Sequence, residues 1–190
     1  MQYHPRQVLD FWLEECTPED WYKGGAALDA EITARFEAMW EAARAGRLAR
    51  WRATPEGALA FLILTDQFPR NMFRGEAKAF ATDAMALSTA KSAVDARLDM
   101  RIEGAARQFF YLPLEHSECL ADQERAVRLI CTRMDAPETL LHARAHREVI
   151  REFGRFPFRN AALGRETGPR ESVFLEEGGY GAVVREMREA

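Results

Sequence analysis

Cysteine is scarce and poorly placed for chemistry: Cys16, Cys119 and Cys131 stand far apart, and none forms the CxxC pair that zinc and thiol-redox motifs need. They read as reduced, mostly buried thiols, which favours a cytoplasmic location. Long apolar runs are also missing. The longest, Ala58 to Leu64, is far too short to cross a bilayer, and the opening Met-Gln-Tyr-His-Pro-Arg lacks the basic segment and apolar stretch of a secretory leader. Positive charge is not in excess. A formal net charge of -4 gives no overall attraction to nucleic acid or to an anionic membrane, so neither is expected as a partner. No segment alternates with period two, which excludes a sheet, and there is no Gly-rich phosphate loop, nucleophile elbow or Cys–His pairing.

What is present is the balance of a globular chain: 190 residues, 47% hydrophobic and 29% charged, with acids and bases interleaved. That length suits one domain over 1–190. Helical periods dominate. Pro5 can start a short helix through Val8, Leu9, Phe11, Trp12 and Leu13 that ends at Thr17-Pro18. Ile32, Phe36, Met39, Trp40 and Ala43 recur at helical spacing until Gly46. Thr54 is a candidate N-cap with Pro55 as first helical residue, and the helix that follows has almost no polar face until it stops or kinks near Pro69. Further helices are expected over Thr82 to Ala96, over Ile102 to Tyr111, from a Ser117 cap with Leu120, Val127, Ile130, Cys131 and Met134 on one side, and from Pro137 to Gly154. A long polar loop then leads to a short helix begun by Pro169 and Glu171, ahead of a flexible Gly178-Gly179. The expectation is an all-α array of about seven to nine helices.

Polar residues gather in three stretches, each at a helix end: DQFPRNMFRG from Asp66, LPLEHSE from Leu112, and FGRFPFRN with LGR from Phe153. The first and third share Phe-Pro followed within two residues by Arg-Asn, a weak internal echo. Together DQFPRNMFRG, FFYLPLEHSE and FGRFPFRNAALGR resemble the DUF924 family of uncharacterised bacterial proteins across nearly the whole chain. The resemblance implies a helical fold grouped with the tetratricopeptide-like superfamily, with antiparallel helix packing, and it implies no activity. The tetratricopeptide consensus itself is absent. The family's usual FGRFPHRN has a His where this chain has Phe158, so any chemistry obligatory to that His would be missing here.

Arg70, Arg74, Arg155, Arg159 and Arg165 offer planar, permanently charged forks for a carboxylate or phosphate. The competing reading is structural: Asp66, Glu115 and Glu118 pair with such arginines in a network that fixes how helices meet. His142 and His146 are four apart on one expected helix and could share a metal with Glu115, His116 or Glu118, although the HExxH signature is absent and no metal site is assigned. Glu115 and Glu118 beside His116 could also serve as general acid and base, or simply begin the following helix. Trp12, Trp21, Trp40 and Trp51 read as packing residues.

The leading expectation is a non-catalytic helical binding module with an Arg-lined polar pocket for an anionic group, a peptide carboxylate or small metabolite. The candidate ligand-binding residues are Asp66, Arg70, Asn71, Arg74, Glu115, His116, Glu118, His146, Arg155, Arg159, Asn160 and Arg165. An enzyme using His146, Glu115 and the arginines for acid–base work on an anionic substrate is the alternative, and a structural or subunit-contact protein the third. Cofactor and oligomeric state are not specified by these residues.

Overall fold

The computed structural model describes residues 3–189, so Met1 and Gln2 of the N-terminal reading lie outside the described residues. Those residues form eleven α-helices joined by 3-10 and π turns, with no strand among them. The all-α expectation therefore holds, with more helices than the seven to nine foreseen. The chain divides into two compact units whose sequences meet at Pro113 and Leu114.

In the first unit, α1 (Pro5–Leu9) carries Pro5 in its first turn, and His4 accepts the Arg6 N–H. A π turn, Asp10–Glu15, extends it. After α2 (Asp20–Lys23), α3 (Ala26–Arg44) buries Ile32, Phe36, Met39 and Trp40, which is the face its period foretells. Thr54 caps α4 (Pro55–Leu62) by accepting the Gly57 N–H at 3.2 Å. Every residue from Ala58 to Leu64 is buried, as a helix without a polar face requires. Gly57 is obligatory, because a Cβ there would lie 2.1 Å from the Trp51 carbonyl on the 3-10 turn Ala49–Ala53.

The helix does not stop before Pro69. It widens into the π turn Ile63–Gln67, where Phe68 N–H bonds to the Ile63 carbonyl, and continues as α5 (Phe68–Met72). The wider turn relieves the clash a proline ring makes with the carbonyl four residues back. Pro69 still cannot donate to that carbonyl, on Thr65. The Thr82 hydroxyl does so instead at 2.6 Å, while itself accepting the Trp40 indole N–H at 3.0 Å. Thr82 immediately precedes α6 (Asp83–Asp95). The expected helix at Ile102 to Tyr111 is a 3-10 turn, Gly104–Phe110, and Pro113 sits in the first turn of the short helix that follows, α7 (Leu112–Glu115). Proline is tolerated there because a first-turn N–H has no helical partner to lose.

In the second unit, α8 (Leu120–Arg133) is preceded by Cys119, not Ser117, at its cap. Its buried side is Asp122, Gln123, Ala126, Leu129 and Ile130, whereas Leu120 and Cys131 of the expected face are exposed. The polar residues turn inward because Gln123 holds the preceding turn, donating to the carbonyls of Glu115 at 2.5 Å and Ser117 at 2.7 Å. Helix α9 (Pro137–Phe153) ends at Gly154, whose φ of 69° is the left-handed cap. Val149, Ile150 and Phe156 form a core that Phe153, Phe174, Tyr180 and Val183 cover. The expected 155–170 loop contains a 3-10 turn, Pro157–Arg159, and leads to α10 (Pro169–Glu176). After Gly178 a further helix that was not expected, α11 (Gly179–Glu189), follows and packs on α9. All three cysteines are free, but Cys119 and Cys131 are exposed and Cys16 half-buried, contrary to the expectation of buried thiols. Among the described residues no helix is long and apolar enough to cross a membrane.

Candidate functional site

Residues expected at the site fall in both units. In the first, the π turn buries Asp66, and Arg70 one turn later reaches its carboxylate at 3.3 Å and its backbone carbonyl at 2.5 Å. Arg70 also grips both oxygens of Asp83, at 3.1 and 3.0 Å. Burial disfavours the guanidinium charge, but Asp66 and Asp83 outweigh it and raise the Arg70 pKa. Asn71 donates to Asp29 at 2.8 Å, and Arg74 holds the same carboxylate with contacts of 2.9 to 3.1 Å. Asp29 lies in the first turn of α3, where a negative charge is favoured by the helix dipole. Arg70, Asn71 and Arg74 are thus joined to acids of the chain, Asp66 among them, and Asp29 and Asp83 are partners that the sequence did not point to.

In the second unit, Arg155 forms a fork on Glu171 with both contacts at 2.7 Å. Asn160 donates to Glu171 at 3.3 Å, and so does the Gly168 N–H at 2.7 Å. The Arg155 contact first, then the Gly168 N–H, pulls the Glu171 carboxyl down to about 2. The Phe-Pro echo therefore has a structural counterpart: in each unit an Asn after the motif and a nearby Arg clasp one carboxylate in the first turn of a helix. Arg165 donates to Glu118 at 2.9 Å, and the Phe156 N–H donates to the same oxygen at 2.9 Å. Burial raises the Glu118 pKa, but Arg165, the Phe156 N–H and the charge of Arg159 together hold it below its ordinary value. Arg159 is buried with its guanidinium 4.5 Å from the Phe156 ring centre.

Glu115, His116 and His146 come together with two residues outside the expected set, His142 and Tyr180. The Glu115 carboxylate, on a residue only 1% exposed, has one oxygen 3.7 Å from His146 Nδ1. That Nδ1 lies 3.0 Å from the His142 carbonyl, which can only accept, so Nδ1 carries the proton and Nε2 the lone pair. Burial, and then the neighbouring His116, lower the His146 pKa well below its ordinary value, so the ring is neutral. Burial and the charge of Glu115 push Tyr180 far above its ordinary value, keeping its hydroxyl protonated. That hydroxyl lies 2.6 Å from His142 Nδ1 and 3.4 Å from His146 Nδ1. The His146 ring meets His116 edge-on at 6.0 Å, Phe156 at 5.6 Å and Tyr180 at 4.5 Å. Phe158, at the position where His is usual, is 45% exposed with its ring 5.2 Å from Phe156 and 6.3 Å from Tyr180. Among the described residues no group of three His, Cys, Asp or Glu is placed to hold a metal ion. Tyr180 was detectable in the sequence, since Tyr180, Val183, Val184 and Met187 keep a helical period after the two glycines.

Fold and site define the class as an all-helical protein with Arg–carboxylate pairs in each unit and a buried His–Glu–Tyr cluster in the second. The chain belongs to the family described as bacterial protein of unknown function (DUF924), whose profile matches residues 8–179. It is similar to a solved structure of a protein of unknown function, ATU0120, from Agrobacterium tumefaciens, with 40% identity and a TM-score of 0.87 over 92% of this chain and 97% of that one. No curated protein matches the chain.

Proposed function

We propose that the chain is a helical ligand-binding domain whose recognition site lies in the second unit, around Glu115, His116, His146 and Tyr180. The observation that carries this reading is the His146 imidazole, held neutral with Nδ1–H on a backbone carbonyl and a buried carboxylate 3.7 Å away. Perturbed titratable groups of this kind are costly to bury and concentrate where a ligand or substrate is handled. The His146 side chain keeps 15% of its surface exposed, which leaves an approach to the ring. Arg70, Arg74, Arg155 and Arg165 act as frame, since each holds a carboxylate of the chain. Arg159, whose charge acts on both His146 and Glu118, supports an anionic group on the ligand, such as a peptide carboxylate or small metabolite.

The Glu115–His146 approach favours a second reading, acid–base catalysis on such a ligand. A thermal-shift screen of metabolites, acidic peptides and metals separates the two. Binding predicts a compound that raises the melting temperature of the wild type but not of Glu115→Gln or His146→Gln, and recovery of that compound unchanged after incubation. Turnover supports catalysis, and an empty screen sinks both. The tetratricopeptide-like packing is part of the same proposal, supported by α8 and α9 being joined through Met134, Asp135 and Ala136 alone and packing on each other. So is the single domain over 1–190, supported by one family profile that matches residues 8 to 179.

A further inference from the structure

A separate cavity in the first unit, of about 490 Å³, is lined by Tyr3, His4, Pro5, Ala42, Arg47, Leu48, Arg50 and Trp51. That volume is in the range of small-molecule sites, roughly 300 to 1,000 Å³. Its floor is apolar, since Ala42, Leu48 and Trp51 are all buried, and its rim carries the exposed Arg47 and Arg50. The two arginines are three apart in a tight turn, a spacing that puts side chains on one side. No carboxylate lines the cavity.

Among the described residues neither Arg47 nor Arg50 has an ion-pair partner, in contrast to the arginines of the frame described above. Of the acids near these segments in sequence, Glu41 pairs with Arg44 at 3.0 Å, Asp10 pairs with Arg6 at 3.4 Å, and Glu56 does not line the cavity. His4 Nδ1 accepts the Arg6 N–H at 3.2 Å, so a neutral His4 carries its proton on Nε2 and adds another donor. The wall is fixed, because Gly57 lets the turn bearing Trp51 seat directly on the α4 backbone. Charged and polar lining groups that mainly donate, over an apolar floor, match a ligand with an anionic head and an apolar body.

We infer that this cavity binds a small organic acid, with Arg47 and Arg50 gripping its carboxylate or phosphate and Leu48 and Trp51 packing on its hydrocarbon part. Calorimetric titration of the full chain at low salt, with phenyl phosphate, benzoate, inorganic phosphate and benzyl alcohol, tests it. At least one of phenyl phosphate and benzoate should bind with a Kd of about 1 mM or tighter, and the one that binds identifies the head group. Inorganic phosphate lacks the body and benzyl alcohol lacks the charge, so each should be at least about tenfold weaker. Arg47→Gln and Arg50→Gln should each weaken binding about tenfold and the double variant abolish it, with melting temperatures unchanged because both side chains are exposed. Amide shifts on the wild-type protein provide a check that needs no variant, and they should centre on Tyr3, His4 and the stretch from Arg47 to Trp51. The inference is overturned if neither aromatic anion binds at about 10 mM, if the double variant binds like the wild type, if inorganic phosphate binds as tightly as phenyl phosphate, or if the shifts map elsewhere.

Discussion

The Thr82 hydroxyl donates at 2.6 Å to the Thr65 carbonyl, the one that Pro69 leaves without its α-helical donor. One residue further along each segment, Arg70 ties Asp66 to Asp83. The π turn before Pro69 is thus held to the start of α6 at two successive positions, and this pins the polar DQFPRN stretch.

Thr82→Val should cost about 2 to 4 kcal/mol, because it strips the hydrogen-bond donor from Thr65 and the acceptor from the Trp40 indole in a buried site. Thr82→Ser keeps the hydroxyl and should cost about 1 kcal/mol or less. Urea midpoints compare the two, and equal losses would show that the methyl group matters and the hydroxyl does not.

Arg70→Ala should destabilise by about 3 to 5 kcal/mol, since it leaves the buried Asp66 and the nearby Asp83 without their shared cation. An anion-binding Arg70 would behave oppositely, with apo stability unchanged or improved after its removal. Denaturant unfolding of the apo protein therefore decides between frame and binder by sign.

Leu62→Ala should cost roughly 2 to 5 kcal/mol, from lost transfer energy plus a cavity. Leu62 is 1% exposed in the helix that every apolar position marks as central. An unchanged urea midpoint is the result that would contradict this.

That helix was legible because the signals were local and unopposed: Thr54-Pro55 begins it, and no polar residue interrupts it from Ala58 to Leu64. Gly154 was legible for the same reason. Two kinds of information were not local. Pro69 reads as a stop or a kink, and that the helix continues through a π turn depends on Thr82, remote in sequence, donating to the carbonyl that Pro69 cannot reach. The candidate arginines were found by type, but whether they bind a ligand or frame the fold depends on Asp29, Asp83 and Glu171, which lie 13 to 45 residues from the arginines they hold. The buried side of α8 was misread because Asp122 and Gln123 turn inward to serve the turn before it. Polar burial of that kind has no hydrophobic period to announce it.

Acid should expose the Arg155–Glu171 pair. Glu171 titrates near 4.5 when unfolded but at about 2 when folded, so its stabilisation is complete above about pH 4.5 and is lost as pH falls towards 2. Glu171→Gln should flatten the melting-temperature profile across that window. A variant with the same acid slope as the wild type would show that other carboxylates govern the transition.

His146 should act in a different window. Burial holds its folded pKa well below the ordinary 6.5, with His116 adding to the effect. Below about pH 6.5 the unfolded chain takes up a proton that the folded chain refuses, so stability falls as the solution is acidified and levels off above about pH 7. The slope for one such group approaches about 1.4 kcal/mol per pH unit. His142 is also lowered, chiefly by burial, and contributes with the same sign. His146→Gln should therefore lose less stability than the wild type between about pH 7 and 5, whatever its offset at neutral pH. Glu171→Gln should leave this window untouched, because Glu171 is ionised in both states there. If His146→Gln and wild type keep parallel stability profiles from pH 7 to 5, the ring is not held neutral by the fold, and the proposed site loses the observation on which it stands.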